Sequence, residues 1–416
     1  MLSVLINAYA CSPGMGSEPG MAWNWCVNLA NYCKLHIITE GEFKDKIEAA
    51  LPTLPQGKNM QFYYNPVPDN IRKMCWNQGD WRFYRHYKQW QRKTYLLALD
   101  IVQQQKIDVI HQLNMIGFRE PGYLWKIKDI PFVWGPVGGL MDIPTNYISS
   151  GDVKKALFVR LKSILNKFQI KYHFRVKKAL QCASVIIGAT GESVAKIEKH
   201  YQRKVILMNE TGCYVKESLF TRPTSSDDNF HIVWVGRFLF SKKLDLALKT
   251  IAKLKPLGKI KFHIVGEGSS HESQYYKQLS INLGIQEICI WHGSVPHMKV
   301  QIIMQKSDIL FFTSIAEGTP HVVLEAISNH LPVVCFDCCG QGDSVNEAIG
   351  IKIKLSDPEQ SINEFAEKIE HLFRNRTELY EMSDNCAKRQ QELSWENKAK
   401  QMIAIYHQTA NRPHNN

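Results

Sequence analysis

The sequence predicts an α/β protein with two doubly wound parallel-sheet domains, and three observations support this. Strand-like runs alternate with helical patterns through the first half of the chain, at 2–8, 34–39, 60–65, 107–112, 131–135, 184–188 and 204–208. A second series follows at 230–236, 260–265, 287–292, 308–313, 332–336 and 350–355. This alternation is typical of βαβ units. The total of 416 residues also exceeds one ordinary core.

The polar, turn-rich stretch 221–229 lies near the expected domain boundary. We assign 1–208 to an amino-terminal Rossmann-like domain and 209–393 to a carboxyl-terminal one. In doubly wound sheets, ligands bind at the carboxyl ends of the strands. The sequence therefore predicts a ligand site in a cleft that these strand ends face.

The composition indicates a soluble globular protein. Hydrophobic residues make up 44% of the chain and charged residues 22%. No run of about 18 apolar residues predicts a spanning helix. The first ten residues lack a basic region and read as a buried first strand, not as a signal peptide. We expect a cytoplasmic protein.

The eleven cysteines are scattered and fit buried thiols in a reducing compartment. Cys335, Cys338 and Cys339 form the one cluster that suggests zinc. A zinc site needs further Cys or His ligands at suitable spacing, and the sequence has no second CxxC. We interpret the cluster as a buried strand that ends in a Gly-rich turn, and expect no metal.

The net charge of +12 is concentrated in two segments that also carry apolar residues. In 152–180, basic residues surround an apolar stripe at helical spacing. In 71–95, Arg and Lys alternate with Trp, Tyr and Phe. Both patterns favour the headgroup layer of an anionic membrane over nucleic acid. The alternative is that both apolar sets belong to the core and the basic residues are a solvated face.

The stretch EGTPHVVLEA (317–326) follows an apolar run and predicts a strand that leads into a helix. Thr319 is a good N-cap and Pro320 suits the first helical position. The free N–H groups and dipole of such a helix favour a phosphate or sugar oxygen. Gly318 permits close approach of a ligand to the backbone. The alternative is a capped surface helix with two ordinary glutamates.

Two further turns follow strand patterns in the same half of the chain. The run VGRF (235–238) carries Arg237, and Lys242 opens the next helical pattern. If the strands are parallel, both cations lie at the same sheet edge as the start of the helix at 320, an arrangement that suits a diphosphate. The run VGEG (265–268) supplies a second tight turn with Gly266 and Glu267.

These motifs together resemble the family 4 glycosyltransferases. VGR with the following Lys, VGEG, WHG (291–293) and the Glu-x7-Glu pair occur in the family's order and spacing. In the amino-terminal half, AYACSPGMGSEPGMAW (8–23), HQLNMIGFREPG (111–122) and WGPVGG (134–139) look like a bacterial branch. The resemblance covers nearly the whole chain. It implies the GT-B fold, a nucleotide-sugar donor, retention of anomeric configuration and no divalent metal.

The resemblance also implies roles for individual residues. Glu317 matches the family glutamate at the donor sugar, and Glu325 the glutamate that holds the ribose hydroxyls. Arg237 and Lys242 are expected at the diphosphate, and His111 near the donor sugar. A lone histidine is otherwise a structural core group.

Loop positions complete the expected site. Gly14 and Gly16 resemble a Gly-rich loop that closes on the phosphates, whereas Gly20 is expected only to start a helix. Because Pro320 has no N–H, His321 and Val322 are expected to donate in its place. Glu18 and Arg119 join the site if their loops follow the family course. The resemblance also implies that helix 394–416 packs back on the amino-terminal domain.

We therefore predict an enzyme that transfers a hexose or N-acetylhexosamine from a UDP-sugar or GDP-sugar. The acceptor is a glycan, expected to be linked to a polyprenyl diphosphate, in bacterial surface polysaccharide synthesis at the inner face of the cytoplasmic membrane. A soluble small-molecule or free-sugar acceptor is the alternative, and a non-catalytic membrane- or nucleic-acid-binding protein on the same fold is a third. A nicotinamide oxidoreductase is disfavoured because GMGSEPG lacks GxGxxG spacing.

Overall fold

The computed structural model of the protein describes residues 1–77, 80–148, 153–215, 228–318 and 320–411, and in 153–156 it describes the backbone alone. Two parallel sheets account for the strands of these residues. Thr319 lies outside the described residues, as do most of the 221–229 stretch and the side chains of Lys154 and Lys155.

The amino-terminal sheet has seven strands in the order β3-β2-β1-β4-β5-β6-β7. Their bounds are β1 Ser3–Ala8, β2 Lys34–Thr39, β3 Met60–Tyr64, β4 Val109–Asn114, β5 Phe132–Val137, β6 Val185–Gly188 and β7 Ile206–Leu207. All pairings are parallel. The order reverses direction between β1 and β4.

The carboxyl-terminal sheet has six strands in the order β10-β9-β8-β11-β12-β13. Their bounds are β8 Phe230–Val235, β9 Ile260–Val265, β10 Cys289–Gly293, β11 Ile309–Phe312, β12 Val333–Phe336 and β13 Gly350–Ile353. These pairings are also parallel. Here the order reverses between β8 and β11.

Fifteen α-helices accompany the strands in the part of the chain described. Those before β8 are α1 Ser17–Leu29, α2 Lys44–Ala50, α3 Asp69–Trp76, α4 Phe83–Gln104, α5 Val153–Tyr172, α6 Phe174–Cys182 and α7 Gly191–Tyr201. The others are α8 Leu244–Leu254, α9 Ser270–Asn282, α10 His297–Gln305, α11 His321–Ser328, α12 Cys339–Ser344, α13 Pro358–Arg374, α14 Arg376–Glu392 and α15 Trp395–Ala410.

Helix starts follow from local sequence. Asp357 caps α13 by accepting from two backbone N–H groups, with Pro358 at the first helical position. Ser269 and Glu272 form a capping box at α9.

Each sheet is buried on both faces, as expected for parallel strands covered by crossover helices. In β1, Val4 and Ile6 face the core formed with α1 and α15, whereas Leu5 faces the core formed with α4. In β8, Ile232 and Val233 divide in the same way between the two cores of the second sheet. The prediction of two doubly wound domains is confirmed.

The two compact units are not simple halves of the chain. One comprises Met1–Leu140, Ile164–Thr211 and Trp395–Asn416, and the other Met141–Ser163 and Gly212–Ser394. The sequence assigned 141–163 to the amino-terminal domain, but the Tyr147 hydroxyl bonds Ser361 Oγ at 2.7 Å and its ring packs on Phe336 in the second unit.

The basic segments differ from expectation in which apolar residues are buried. Phe83, Tyr87 and Trp90 of 71–95 are core residues that pack with Tyr9. Their expected place at a membrane surface is therefore wrong, because α4 turns these rings towards the sheet. No helix among the described residues is long and apolar enough to cross a membrane.

Candidate active site

The candidate site lies where the strand order of the carboxyl-terminal sheet reverses. β8 and β11 are parallel neighbours, so the segments after them leave the same sheet edge. Arg237 and Lys242 follow β8, and Glu317 follows β11. The predicted convergence of these segments on one edge is confirmed.

Lys242 and Glu317 form a direct ion pair between Nζ and Oε2. Ser314 Oγ also lies 3.5 Å from the same carboxylate oxygen. The ammonium group sits 5.2 Å from the centre of the Phe312 ring. Arg237 is exposed at the same edge, whereas Lys242 is half-buried. The site thus holds two cations at different depths.

The segment that carries Lys242 is fixed to the end of β11. Thr313 Oγ1 donates to the Lys242 carbonyl at 2.7 Å and accepts from Trp234 Nε1 at 3.0 Å. The Ile315 amide donates to the Ser241 carbonyl at 2.8 Å. These bonds fix the backbone at Lys242 relative to the segment that carries Glu317.

Helix α11 begins at His321, one residue later than predicted. Pro320 has φ −77° and ψ 99°, so it occupies the N-cap position and not the first helical position. Its carbonyl accepts from the Val323 and Leu324 amides. The first helical residue is therefore His321, which has an amide N–H. The sequence had predicted Pro320 at this position, and Pro320 has no N–H to donate.

The pKa of His321 depends on the charged groups around the start of α11. Burial lowers the pKa of His321, Glu325 and Glu317 oppose this shift, and Lys242 adds to it. These four groups are therefore neighbours. The Val322 side chain packs on the core. Thr319, the expected cap, lies outside the described residues.

The Gly-rich turn after β12 supports the loop that contains Gly318. A Cβ at Gly340 would lie 2.0 Å from the Gly318 carbonyl oxygen. Gln341 is fully buried, and its Nε2 donates to the Ser314 carbonyl at 2.9 Å. Neither Gly340 nor Gln341 was predicted to support the site, although the CGQG turn (339–342) was the available signal. No metal-binding group of three or more His, Cys, Asp or Glu occurs in the described ranges.

The three turns after β8, β9 and β10 form a contiguous row. The Gly236 amide donates to Val265 O at 3.0 Å, and the Gly266 amide donates to Gly293 O at 2.9 Å. Gly266 has φ +126°, and a Cβ there would lie 1.9 Å from Gly236 O. The VGR, VGEG and WHG motifs therefore depend on one another, and the exposed Glu267 projects from the middle turn.

His111 does not have the setting expected of a ligand contact. It lies inside β4, is fully buried, and places Nδ1 2.6 Å from Tyr406 Oη and Nε2 2.6 Å from Gly135 O. Burial lowers the pKa of His111 to about 4. Both ring nitrogens are thus engaged, which corrects the predicted role to that of a neutral structural group.

The loop after β1 has room for a ligand. A Cβ at Gly14 or Gly16 would meet nothing within 4 Å, and Gly14 has φ +67°. Gly20 does more than start a helix, because a Cβ there would lie 1.8 Å from Met15 O. The loop course thus depends on Gly20.

Glu18 and Arg119 both have partners in their own unit. Glu18 Oε1 accepts from the Ile116 amide at 3.2 Å, and burial raises the pKa of Glu18. Arg119 donates to Gln169 Oε1 at 2.8 Å and to Asn166 Oδ1.

The second unit matches a known sequence family. Residues 215–392 match the family described as glycosyl transferases group 1. A lipopolysaccharide 1,6-galactosyltransferase of Salmonella typhimurium is 30% identical over 170 residues, which are 40% of this chain and 43% of the relative. A UDP-Gal:alpha-D-GlcNAc-diphosphoundecaprenol alpha-1,3-galactosyltransferase of Escherichia coli is 32% identical over 105 residues, covering 24% of this chain and 26% of the relative. The chain therefore spans less than half the length of these curated relatives.

Solved structures match over nearly the whole chain. The apo form of WaaB, a lipopolysaccharide outer core galactosyltransferase, gives a TM-score of 0.63 at 16% identity and covers 98% of this chain and 100% of its own. Anabaena HepE in complex with UDP gives 0.61 at 14% identity, with 98% and 100% covered. These likenesses show the GT-B fold.

Proposed function

We propose that the chain is a retaining, metal-independent glycosyltransferase that uses a UDP-sugar or GDP-sugar. It transfers a hexose or N-acetylhexosamine to a glycan acceptor, linked to a polyprenyl diphosphate, in bacterial surface polysaccharide synthesis. The observation that carries the proposal is the convergence of Lys242, Glu317 and the start of α11 where the strand order reverses. The UDP in HepE and the UDP-galactose named for the Escherichia coli relative favour uridine.

The chemistry follows from the charges at this edge. Breaking the bond between C1 and the leaving diphosphate builds negative charge on the diphosphate oxygens. Lys242, Arg237 and the amides at the start of α11 offer fixed positive charge and N–H donors for it. We assign the donor sugar to Glu317 and the ribose hydroxyls to Glu325. Since protein groups offset the charge, we expect activity to survive in EDTA.

Thermal unfolding with nucleotides tests the donor site. At about 100 times its Kd, a ligand stabilises the folded protein by about 2.7 kcal/mol. We expect UDP or GDP to raise Tm, with hydrolysis of the corresponding nucleotide sugar, and the other nucleotide to have a smaller effect. If neither nucleotide shifts Tm and no nucleotide sugar is hydrolysed, the proposed function is wrong.

We also propose that the enzyme docks on an anionic membrane surface. The main support for this docking comes from α5. Seven of its large apolar side chains are 48–66% exposed: Leu157, Phe158, Leu161, Ile164, Leu165, Phe168 and Tyr172. Its buried side chains include Asn166, which holds Arg119, together with Val159 and Ile170. At 100° per residue the exposed apolar stripe lies opposite these buried positions. The expected amphipathic helix is thus present, with its apolar face towards solvent.

The charges beside this stripe support an anionic lipid surface as its partner. Arg160, Lys167 and Lys171 flank one side of it by helical position, and Lys162 flanks the other. Long basic side chains beside an apolar stripe suit an anionic lipid surface, where the stems lie along the acyl boundary and the charges reach the headgroups. From 71–95, the exposed Trp76, Trp81 and Tyr84 remain for the same role.

Vesicle flotation tests the docking. We expect binding to vesicles of phosphatidylcholine with phosphatidylglycerol, and weaker binding to phosphatidylcholine alone. Replacing Lys162, Lys167 and Lys171 by Gln should weaken the former about 100-fold, since each basic residue contributes about 1 kcal/mol. Replacing Leu161, Ile164 and Phe168 by Ser should abolish both.

The control variant carries Leu96→Ser and Tyr380→Ser, which remove exposed apolar groups elsewhere. Unchanged binding in the α5 variants, or a concentration-dependent dimer that those variants disrupt, contradicts the lipid partner. Nucleotide binding should be the same in all of them.

A further inference from the structure

A chain of side-chain amides runs between α10 and α11 and ends on Glu325. Gln305 Nε2 donates to Asn329 Oδ1 at 3.1 Å, and Asn329 Nδ2 donates to Gln301 Oε1 at 2.6 Å. Gln301 Nε2 then donates to Glu325 Oε2 at 3.3 Å. Gln301 and Asn329 are only 8% and 2% exposed. The carboxylate is thus tied to a buried set of amides.

The direction of this chain is fixed at Asn329. Its Nδ2 also donates to the Glu325 carbonyl at 2.8 Å, so the NH2 group is the end that faces Gln301. Gln301 must then accept through Oε1 and present its own NH2 group to the carboxylate. An ionised carboxylate only accepts hydrogen bonds and has about four acceptor positions. The bond from Gln301 occupies one of these on Oε2.

The other carboxylate oxygen also faces α10. His297 Nε2 lies 3.3 Å from Glu325 Oε1, and Gln301 Nε2 lies 3.2 Å from the same histidine nitrogen. His297 is 68% exposed and the Glu325 side chain 30% exposed. Gln301 is therefore the buried partner of the carboxylate, and the exposed part of Glu325 remains open to a ligand.

We propose that Gln301 is a positioning residue for Glu325 and thereby sets the preference of the donor site for ribonucleotides. This inference rests on the proposed function, in which Glu325 accepts from the two vicinal hydroxyls of the ribose. Accepting from both at once requires one orientation of the carboxylate plane. The donor on Gln301, held by Asn329, fixes that orientation before the nucleotide binds. Such preorganisation increases affinity without an additional ligand contact.

The test compares UDP with 2′-deoxy-UDP, or GDP with 2′-deoxy-GDP if guanosine is the base. Titration calorimetry gives both Kd values. The Kd of the 2′-deoxynucleotide divided by the Kd of the ribonucleotide measures the contribution of the 2′-hydroxyl to binding, and this quotient is the ratio used below. Gln301→Met keeps the approximate shape and removes the donor. We expect this variant to lower the wild-type ratio about tenfold, since hydrogen bonds to charged groups have about this effect on binding. The KM for the nucleotide sugar should rise more than kcat falls.

Gln305→Met is the matched control. Gln305 is the same residue type one turn further along α10 and bonds the same Asn329, but it makes no bond to Glu325. Both variants should lower Tm to a similar extent, whereas Gln305→Met should keep the wild-type ratio within about twofold. Equal loss of the ratio in both variants would mean that the amide chain has only a structural role, which overturns the proposal.

A double-mutant cycle with Glu325 isolates the pathway. Glu325→Ala should remove the preference for the ribonucleotide, and Gln301→Met should then have no further effect on the ratio. A normal ratio in Gln301→Met also overturns the inference while leaving the proposed function intact. If the wild-type protein binds neither UDP nor GDP, the proposed function falls, and this inference falls with it.

Discussion

The two sheets share a doubly wound topology but carry different chemistry where their strand order reverses. In the carboxyl-terminal sheet, that edge holds the Lys242–Glu317 ion pair and the exposed Arg237. In the amino-terminal sheet, the corresponding strands β1 and β4 carry neutral amides. Asn7 Nδ2 donates to Gln91 Oε1 at 2.9 Å and to Gln112 Oε1 at 2.8 Å.

The difference shows that burial determines which polar groups can lie where the strand order of a sheet reverses. Asn7, Gln91 and Gln112 are almost fully buried, and neutral amides bear this at lower cost because the Asn7 NH2 group donates to both glutamines. Unpaired charges would not bear it, since desolvation of an ion costs far more. The charged edge therefore stays partly open to solvent, which is the condition for binding an anionic donor. The same fold can thus hold buried amides at one strand edge and a partly exposed ion pair at the other.

Removing the cation from the charged edge should have the largest effect. We expect Lys242→Met to lower the rate of nucleotide-sugar hydrolysis or transfer by about 10²–10³, or roughly 3–4 kcal/mol, as for loss of one preorganised donor to a developing anion. Lys249→Met on α8, at an exposed position of the same unit, is the control. A rate within about threefold of wild type for Lys242→Met would show that the charged edge is not catalytic.

The stability of the amino-terminal sheet should depend on pH and should not depend on the nucleotide-sugar donor. Burial holds the pKa of His111 at about 4, below the value of about 6.5 in an unfolded chain. Between these two pKa values the unfolded chain binds a proton that the folded chain does not bind. The contribution of His111 to the free energy of unfolding is therefore fully present above about pH 6.5 and decreases as the pH falls. The loss reaches about 3 kcal/mol near pH 4.

His111→Gln should remove this part of the pH dependence, measured by urea unfolding from pH 7 to pH 4. His407→Gln changes an exposed side chain on α15 and is the control. The same decline in both variants would contradict the assignment of His111 as a neutral buried group.

The row of turns beside the charged edge gives a smaller and graded effect. Gly266→Ala places a Cβ against Gly236 O at φ +126°, whereas Gly293→Ala has φ +65° and open space. We expect the first to lower the free energy of unfolding by about 2–3 kcal/mol and the second by about 1 kcal/mol. Chemical unfolding of both variants measures the difference. Equal effects would mean that the close approach of the two turns is not required.

Local pattern predicted the strands, the two-sheet architecture and the position of Arg237 and Lys242 at the same sheet edge as the start of α11. These depend on hydrophobic periodicity and on parallel strands ending at one edge, which a single sequence encodes directly. The role of His111 did not follow, because its partner Tyr406 lies 295 positions away. For the same reason, the burial of Phe83, Tyr87 and Trp90 beside Tyr9 could not be separated from a surface role.

Smaller errors at the site have local causes. Pro at the first helical position and Pro at the N-cap have similar sequence signals, so the start of α11 was misplaced by one residue. Gln301 was missed because an isolated glutamine has no motif. Its importance depends on the packing of α10 against α11, which brings Asn329 and Glu325 within reach.

The path of the chain through α15 has a consequence for how the protein is made. Trp395, Met402 and Tyr406 of this helix are part of the core beneath β1. The unit that leaves the ribosome first therefore lacks part of its core after Thr211, until a further 183 residues and then α15 itself have been translated. During that interval the second unit, which is continuous from Gly212 to Ser394 apart from one short segment, can fold first.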